Sequence, residues 1–571
     1  MLQVSNLSKT FGAELVLSNI SFTLSPGARA GLVGANGSGK STLLRIIAGE
    51  LEPDAGSVRV IPTGSVAYLP QYPIDELHLS VRAALLRGAG RLGALNERIG
   101  ELEAAMPSAD DHLESLLLEY AEARDEFERL GGYELEARME SVVQGLGLDV
   151  LDLGAPVHTL SGGNKTKLSL ARLLLSGARL LLLDEPTNYL DLPALLWLER
   201  FVREGNRTYL IVSHDRRFLD RTIDTILELD QVEHTLREFP GSYSAYAEAR
   251  LREEQKRLEA YRDQQAEIAR IEEDIRRTKE QARGVEARTK SGLGADHARR
   301  LAKKVAAKAK ARERKLERQL DEQRIEKPRQ SWRLHLADLG RDPIQDERTV
   351  LEIENLHAGY DGREVLRGLN LLVRGRDRIG LLGENGSGKT TLLRCVVGNM
   401  PFDGAIRLGL SIRLGLLSQE SDELPLDRTV LEVFRARTEM HEADTRTYLH
   451  RFLFTGQEVF KPVRALSYGQ RSKLALAMLI LSGANFLVLD EPTSHMDMPA
   501  LEAIERSLAE YEGPLLVVTH DRYFLERIGV TRIEVMDGGV LRSAESVERY
   551  EQEILSEVSM RGTLASDAGV V

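Results

Sequence analysis

A single cysteine, Cys395, stands among 571 residues, which excludes an internal disulfide and a cysteine metal cluster and fits a reducing compartment. Aromatic residues are scarce at 5%, while 42% of the chain is apolar, a balance that suits an α/β protein with a large core. No run approaches eighteen uninterrupted apolar residues, so the chain is not expected to cross a membrane unaided. Its first residues, MLQVSNLSKTFG, lack a basic segment followed by an apolar core, so no secretory signal is expected and a cytoplasmic location is. The net charge of −12 by itself argues against a nucleic-acid partner. The charge is unevenly spread, however: residues 281 to 320 carry 13 Lys and Arg against 4 Asp and Glu, a local +9 that leaves the remainder near −21. One segment is built to meet anions.

What the chain does have is a repeat. GANGSGKS (Gly34 to Ser41) recurs as GENGSGKT (Gly383 to Thr390), each behind an apolar run and ahead of a helix-like TLLR segment. Both are strand, glycine-rich loop, helix arrangements whose backbone N–H groups can ring a polyphosphate. The later intervals agree as well. Ser161 to Asp184 and Ser467 to Asp490 are both 23 residues, and Asp184 to His214 and Asp490 to His520 are both 30. The exception is Gln71 to Ser161, 90 residues, against Gln419 to Ser467, 48. The halves are one fold written twice, with an insertion in the first copy.

The expected class is therefore α/β, with a first domain over 1–245, a second over 350–548 and a short tail over 549–571. The insertion falls at about 90–132. Its apolar positions Leu95, Ile99, Leu102 and Met106, the turn-forming Pro107 to Asp111, and then Leu113, Leu116, Leu117, Tyr120 and Phe127 describe two amphipathic helices in a hairpin, an arm. Between the domains, residues 246–330 place Leu251, Leu258, Tyr261, Ile268 and Ile275 at coiled-coil spacings. That pattern breaks around Gly284 and Ser291 to Gly294, resumes through Leu301, Val305, Ala309, Leu316 and Leu320, and stops at Pro328. A helical hairpin with a basic tip is expected, each helix projecting roughly 50 Å.

The loops end in Lys40 with Ser41 and Lys389 with Thr390. Such a lysine neutralises β- and γ-phosphate oxygens and the hydroxyl binds Mg²⁺. LLLLDEP (Leu180 to Pro186) and FLVLDEP (Phe486 to Pro492) read as buried strands that deliver Asp184 and Asp490 to the metal. The next residues, Glu185 and Glu491, are placed to accept a proton from an attacking water, a role worth about 10²–10⁴ in rate. His214 and His520, in the SHD and THD that end the following strand, would hydrogen-bond the γ-phosphate.

Together with Gln71 and Gln419 and the strings LSGGN (Leu160 to Asn164) and LSYGQ (Leu466 to Gln470), these residues resemble the ATP-binding-cassette ATPases over nearly the whole chain. The resemblance implies ATP and Mg²⁺ as ligands. Gly34, Asn36, Gly37, Gly39, Lys40, Ser41 and Thr42, with Gly383, Asn385, Gly386, Gly388, Lys389, Thr390 and Thr391, would hold the phosphates. Phe11 and Tyr360, each 29 residues before its lysine, would stack on adenine. Ser41, Gln71 and Asp184, and Thr390, Gln419 and Asp490, would surround the metal, while Asp191 and Asp497 would lie at the seam. Cassettes of this family pack head to tail, so Ser161, Gly162 and Gly163 would cover ATP at Lys389, and Ser467 and Gly469 would cover ATP at Lys40. Asn164 and Tyr468 depart from the usual signature, so the resemblance does not extend to equal turnover at the two sites.

Tandem cassettes without membrane spans, an arm in the first and a charged helical linker resemble the ABC-F proteins. That resemblance implies a monomer with intramolecular cassette pairing that binds the ribosome, its ribosomal RNA and peptidyl-tRNA, through linker and arm and is released on hydrolysis. Basic linker residues such as Arg283, Arg288, Lys290 and Arg299 fit such a partner, in a mode led by shape and charge. Within the family the task is general translation or protection against antibiotics. A DNA-associated cassette ATPase and a transporter subunit are the alternatives from other classes.

Overall fold

The sequence repeat is a repeat of sheets. The structure, a computed structural model, describes residues 1–62, 66–70, 78–108, 113–288, 346–360, 362–417, 424–438, 440–450, 456–466, 468–493 and 498–556, with isolated positions between 303 and 314 and at 452, 454 and 496; for 108, 281–288, 468, 469 and 480 it describes the backbone alone. The first cassette runs β1 (Leu2–Phe11), β2 (Glu14–Leu24), β3 (Arg29–Val33), β4 (Ala55–Val60), β5 (Val66–Leu69), β6 (Leu180–Asp184), β7 (Thr208–Val212), β8 (Thr225–Leu229) and β9 (Leu236–Pro240). The second repeats it as β10 (Thr349–Tyr360), β11 (Arg363–Arg374), β12 (Arg378–Gly383), β13 (Asp403–Leu408), β14 (Leu414–Leu417), β15 (Phe486–Asp490), β16 (Leu515–Val518), β17 (Arg532–Asp537) and β18 (Val540–Ala544).

Each cassette has a six-stranded sheet, ordered β5-β6-β7-β3-β8-β9 and β14-β15-β16-β12-β17-β18, and a smaller antiparallel one, β2-β1-β4 and β11-β10-β13. The larger sheets are parallel except for their last strands, β9 and β18. Strands buried on both faces take continuous apolar runs, which is why β6 reads LLLLD and β15 FLVLD with every residue buried. The parallel register brings the ends of β6 and β7 together, Asp184 against Val212, and in the repeat Asp490 against Val518. Ligands of such sheets bind beyond the carboxyl ends of the strands, where both phosphate loops also lie.

The cassettes pack on one another. Leu192 and Leu196, from the helix Leu192–Glu204 of the first cassette, are buried within the core cluster of the second. The chain divides into two compact units, Met1–Tyr243 with Trp332–Val571, and Ser244–Ser331. Residues 547–556 form a helix whose Tyr550 and Ile554 are buried in the second cassette's core, so part of the stretch expected as a tail is folded.

In the arm, helices Arg91–Ala105 and Leu113–Arg129 pair through Arg98 to Glu119 at 2.7 Å and Tyr120 to Glu103 at 2.9 Å. Ile99, Leu102 and Phe127 are buried as the periodicity expects. Leu113 and Leu117 are not: they are 41% and 48% exposed, since nothing packs on that end of the hairpin among the described residues. The helix Tyr243–Arg288, which belongs to the second unit from Ser244 on, is 46 residues long, about 69 Å at 1.5 Å per residue, longer than expected. It runs through Gly284 rather than stopping there, because one helical glycine costs only about 1 kcal/mol relative to alanine. Leu258, Tyr261 and Ile268 are half-buried and Ile275 is buried, while the apolar positions of the returning helix and Lys290 and Arg299 lie outside the described residues. No helix among the described residues is long and apolar enough to cross a membrane.

Candidate active site

Both phosphate loops follow the innermost strand of their sheet and end at a glycine in the left-handed region, Gly39 at φ 100° and Gly388 at φ 110°. A side chain at Gly39 would also strike Val16 at 2.7 Å, and one at Gly388 would meet Leu366 at 2.9 Å, so the loop lies flat under the strand β2 or β11. Each lysine opens the next helix (Lys40–Ala48, Lys389–Val397) and curls back over its loop. Lys40 Nζ donates to the carbonyls of Gly34 and Ala35 at 2.9 Å, and Lys389 Nζ to those of Gly383 and Glu384 at 2.7 Å. Among the described residues, Ser38 Oγ and Ser387 Oγ, buried in the loops, have no hydrogen-bond partner.

Asp184 and Asp490 end their strands beside the hydroxyls of Ser41 and Thr390. Burial raises the pKa of both carboxyls and the neighbouring hydroxyl opposes it. Glu185 and Glu491 follow in the left-handed region, φ 53° and 46°, a conformation that costs a non-glycine residue of order 1–3 kcal/mol. The amides of both are pinned to the next strand, Glu185 to Val212 O and Glu491 to Val518 O, each at 2.8 Å. The strained turn aims each carboxylate at its histidine: Glu185 Oε1 is 3.2 Å from His214 Nε2, and Glu491 Oε1 is 3.7 Å from His520 Nε2. Burial pushes Glu185 up to about 7 and Glu491 up to about 8, against the pull of the adjacent lysines. Burial, helped by Lys389, pushes His520 down to about 3, so its imidazole is neutral, and both of its ring nitrogens are buried without a hydrogen-bond partner among the described residues.

The two sets open into one cavity of about 1170 Å³ in the seam. Its wall holds Phe11, Asn36, Gly37, Gly39, Lys40, Ser41, Thr42, Asp184, Glu185 and His214 from one loop region, and Tyr360, Asn385, Gly386, Gly388, Lys389, Thr390, Thr391, Asp490, Glu491 and His520 from the other. Ser161 and Gly163 line it too. Ser161 caps the helix Gly162–Leu175, accepting the Asn164 amide at 3.3 Å, which turns a helix N-terminus toward the cavity. Gly34, Gly162, Gly383 and Asp191 do not line it. At Gly34 and Gly383 the next strand's backbone stands so close that a Cβ would be 2.6 Å from Leu229 O or 2.4 Å from Met536 O. Gln71, Gln419, Ser467 and Asp497 lie outside the described residues, and Gly469 is described only as backbone in the helix Tyr468–Leu481.

Asp191 works across the seam instead. Its Oδ2 accepts the Asn385 amide at 3.2 Å, while Asn385 Nδ2 donates to Tyr189 O at 2.9 Å. The first cassette's seam loop thus clasps the second cassette's phosphate loop. Two residues the motifs did not flag join the site. Lys167, buried and on the cavity wall, puts its ammonium 3.6 Å from Asp191 Oδ2. The repeat held a signal for it, because Lys167 stands seven residues after Leu160 just as Lys473 does after Leu466. Tyr68, on β5, faces Asp184, and burial together with that carboxylate raises its hydroxyl pKa.

This wall fits a nucleoside triphosphate. Phe11 and Tyr360 offer exposed rings, 49% and 44%, at its rim, and the loops offer serine hydroxyls that have no partner among the described residues, together with lysine ammoniums. It also fits a hard divalent cation, since each site pairs a hydroxyl with a carboxylate. Among the described residues no group of three or more His, Cys, Asp or Glu is arranged to hold a metal.

The ABC transporter family model matches residues 17–188 and again 366–494, and an extension model of the same description matches 229–336. The chain is 32% identical over 560 residues to the energy-dependent translational throttle protein EttA of Escherichia coli, covering 97% of this chain and 94% of that one. It is 35% identical over 556 residues to the tylosin resistance ATP-binding protein TlrC of Streptomyces fradiae, covering 94% and 98%. Among solved structures, RNase-L Inhibitor superposes with a TM-score of 0.60 at 19% identity, covering 96% of this chain and 93% of that one, a likeness of fold.

Proposed function

We propose a task on the ribosome for this chain, which belongs to the ABC-F family of ATP-binding-cassette ATPases. In this reading it is a cytoplasmic monomer that binds the ribosome when both sites hold ATP, acts on ribosomal RNA and peptidyl-tRNA through its linker and arm, and leaves on hydrolysis. The observation that carries it is the seam: two nucleotide sites share one cavity, so occupancy and the fit of the cassettes are one event. The basic linker stretch then gives that event an anionic partner.

The residues divide the work. Lys40 and Lys389 neutralise the phosphates while the loop amides orient them. His214 and His520 donate to the terminal phosphoryl group. Glu185 and Glu491, enclosed and strained toward the histidines, take the proton of the attacking water. Ser41 with Asp184 and Thr390 with Asp490 would hold Mg²⁺, which would neutralise charge developing on the phosphate oxygens. Asp191 and Tyr189 close on Asn385 and exclude bulk water from the second site.

The test is co-sedimentation with ribosomes of the full chain carrying Glu185→Gln and Glu491→Gln. With ATP the doubly substituted protein stays bound and without nucleotide it does not; absence of ATP-dependent binding rejects the reading. The likeness to a tylosin resistance protein favours a second reading, ribosome protection against antibiotics. Expression in a tylosin-sensitive host raises the inhibitory concentration if that reading holds and leaves it unchanged if the task is general translation.

A further inference from the structure

Two arginines outside the nucleotide cavity cross the seam from matching places. Arg216 follows His214 by two residues, and Arg522 follows His520 by two. Each opens a short helix whose first turn is capped by the intervening aspartate, Asp215 accepting the Phe218 amide at 2.8 Å and Asp521 the Phe524 amide at 2.9 Å. The arginine and the histidine are therefore held in one rigid turn.

Across the seam, Arg216 Nη1 donates to Glu505 at 2.8 and 3.1 Å, and its Nε to Met498 Sδ at 3.4 Å. Arg522 donates to Glu199 in the opposite cassette and, within its own, to Glu551 at 2.9 Å. The glutamates match as well: Glu199 stands 14 residues after Glu185, and Glu505 stands 14 after Glu491, each on the helix that leaves the seam loop. The side chains of Arg216 and Glu505 are 3% and 5% exposed, those of Arg522 and Glu199 0% and 8%.

Burying such pairs adds little net stability over apolar residues of the same volume, whereas leaving one partner buried and alone is costly. An apolar seam tolerates sliding. This one accepts the register in which both arginines meet their glutamates. The halves differ in reinforcement: Arg221 bonds Glu199 at 3.1 Å and Glu551 at 2.8 Å, closing a ring of alternating charge around Arg522, while Arg216 has the Tyr523 ring 4.9 Å from its guanidinium.

We propose that Arg216 and Arg522 are positioning residues that carry the register of the closed seam to the histidine two residues before them, Arg216 to His214 at the first site and Arg522 to His520 at the second. The inference rests on the ATPase chemistry and not on the ribosomal task, so its assay contains no ribosomes. Single-turnover ATP hydrolysis by the full chain is measured in a Glu491→Gln background, where only the Glu185 site works, and in a Glu185→Gln background, where only the Glu491 site works. Adding Arg216→Lys or Glu505→Gln slows the Glu185 site on the order of tenfold and leaves the Glu491 site within about twofold, with nucleotide affinity unchanged. The exchanged pair Arg216→Glu with Glu505→Arg recovers most of the loss. Equal slowing of both sites, which a mere seam stabiliser would give, overturns the proposal, as does no slowing. Loss of folding in both single variants, seen by thermal unfolding, makes the pair structural and also overturns it.

Discussion

At the first site Asp184 is faced by Ser41 and by the Tyr68 hydroxyl; at the second, Asp490 has Thr390, and Leu416 stands in the strand position of Tyr68. Glu185 sits 3.2 Å from its histidine and Glu491 3.7 Å, and burial lifts the second carboxyl further, to about 8 rather than about 7. One repeated motif therefore fixes the backbone of two machines, and their neighbours tune the acidities. The difference also runs through the seam, where a ring of four charges backs the His520 side and the buried Arg216–Glu505 pair backs the His214 side.

Removing one proposed base at a time is the largest perturbation of this comparison. Glu185→Gln and Glu491→Gln each lower hydrolysis at their own site by roughly 10²–10⁴ under single-turnover conditions. A site that keeps its rate without its glutamate does not use that residue as base. Acidity separates the sites next. A base works only when ionised, and a raised pKa means activity is lost as pH falls, so kcat/KM measured in the Glu491→Gln background rises through pH of about 7, and in the Glu185→Gln background through pH of about 8. Coincident midpoints would erase the distinction. The smallest effect is that of Tyr68→Phe, which removes a hydroxyl beside Asp184 and costs the first site about 1 kcal/mol of nucleotide affinity measured by titration, with the second site unaffected.

The tandem α/β fold and most of the cavity wall were legible in the sequence because they depend on local chemistry: glycines where a phosphate loop needs left-handed backbone, apolar strands ending in DE, and equal spacing in both halves from Ser161 or Ser467 through those strands to the histidines. The linker helix was legible in kind, but its passage through Gly284 was not, since a glycine's modest helix cost is outweighed by dozens of helical neighbours. The exposure of Leu113 and Leu117 was not legible either; periodicity marks an apolar face without showing what, if anything, covers it. Tyr68 and Lys167 were missed because neither belongs to a motif string. Gln71, Gln419, Ser467 and Asp497 remain sequence expectations.

The sequence by itself determined that two phosphate loops, two carboxylate pairs and two histidines exist, and at what spacing, because each is a short-range pattern with its own geometric logic. Only the tertiary structure decided that they share one cavity, that Asn385 meets Asp191 and Tyr189, and that Arg216 meets Glu505 from 289 residues away. Contacts across a seam depend on how two folded surfaces dock, and no local propensity in either strand of sequence encodes which charge will find which.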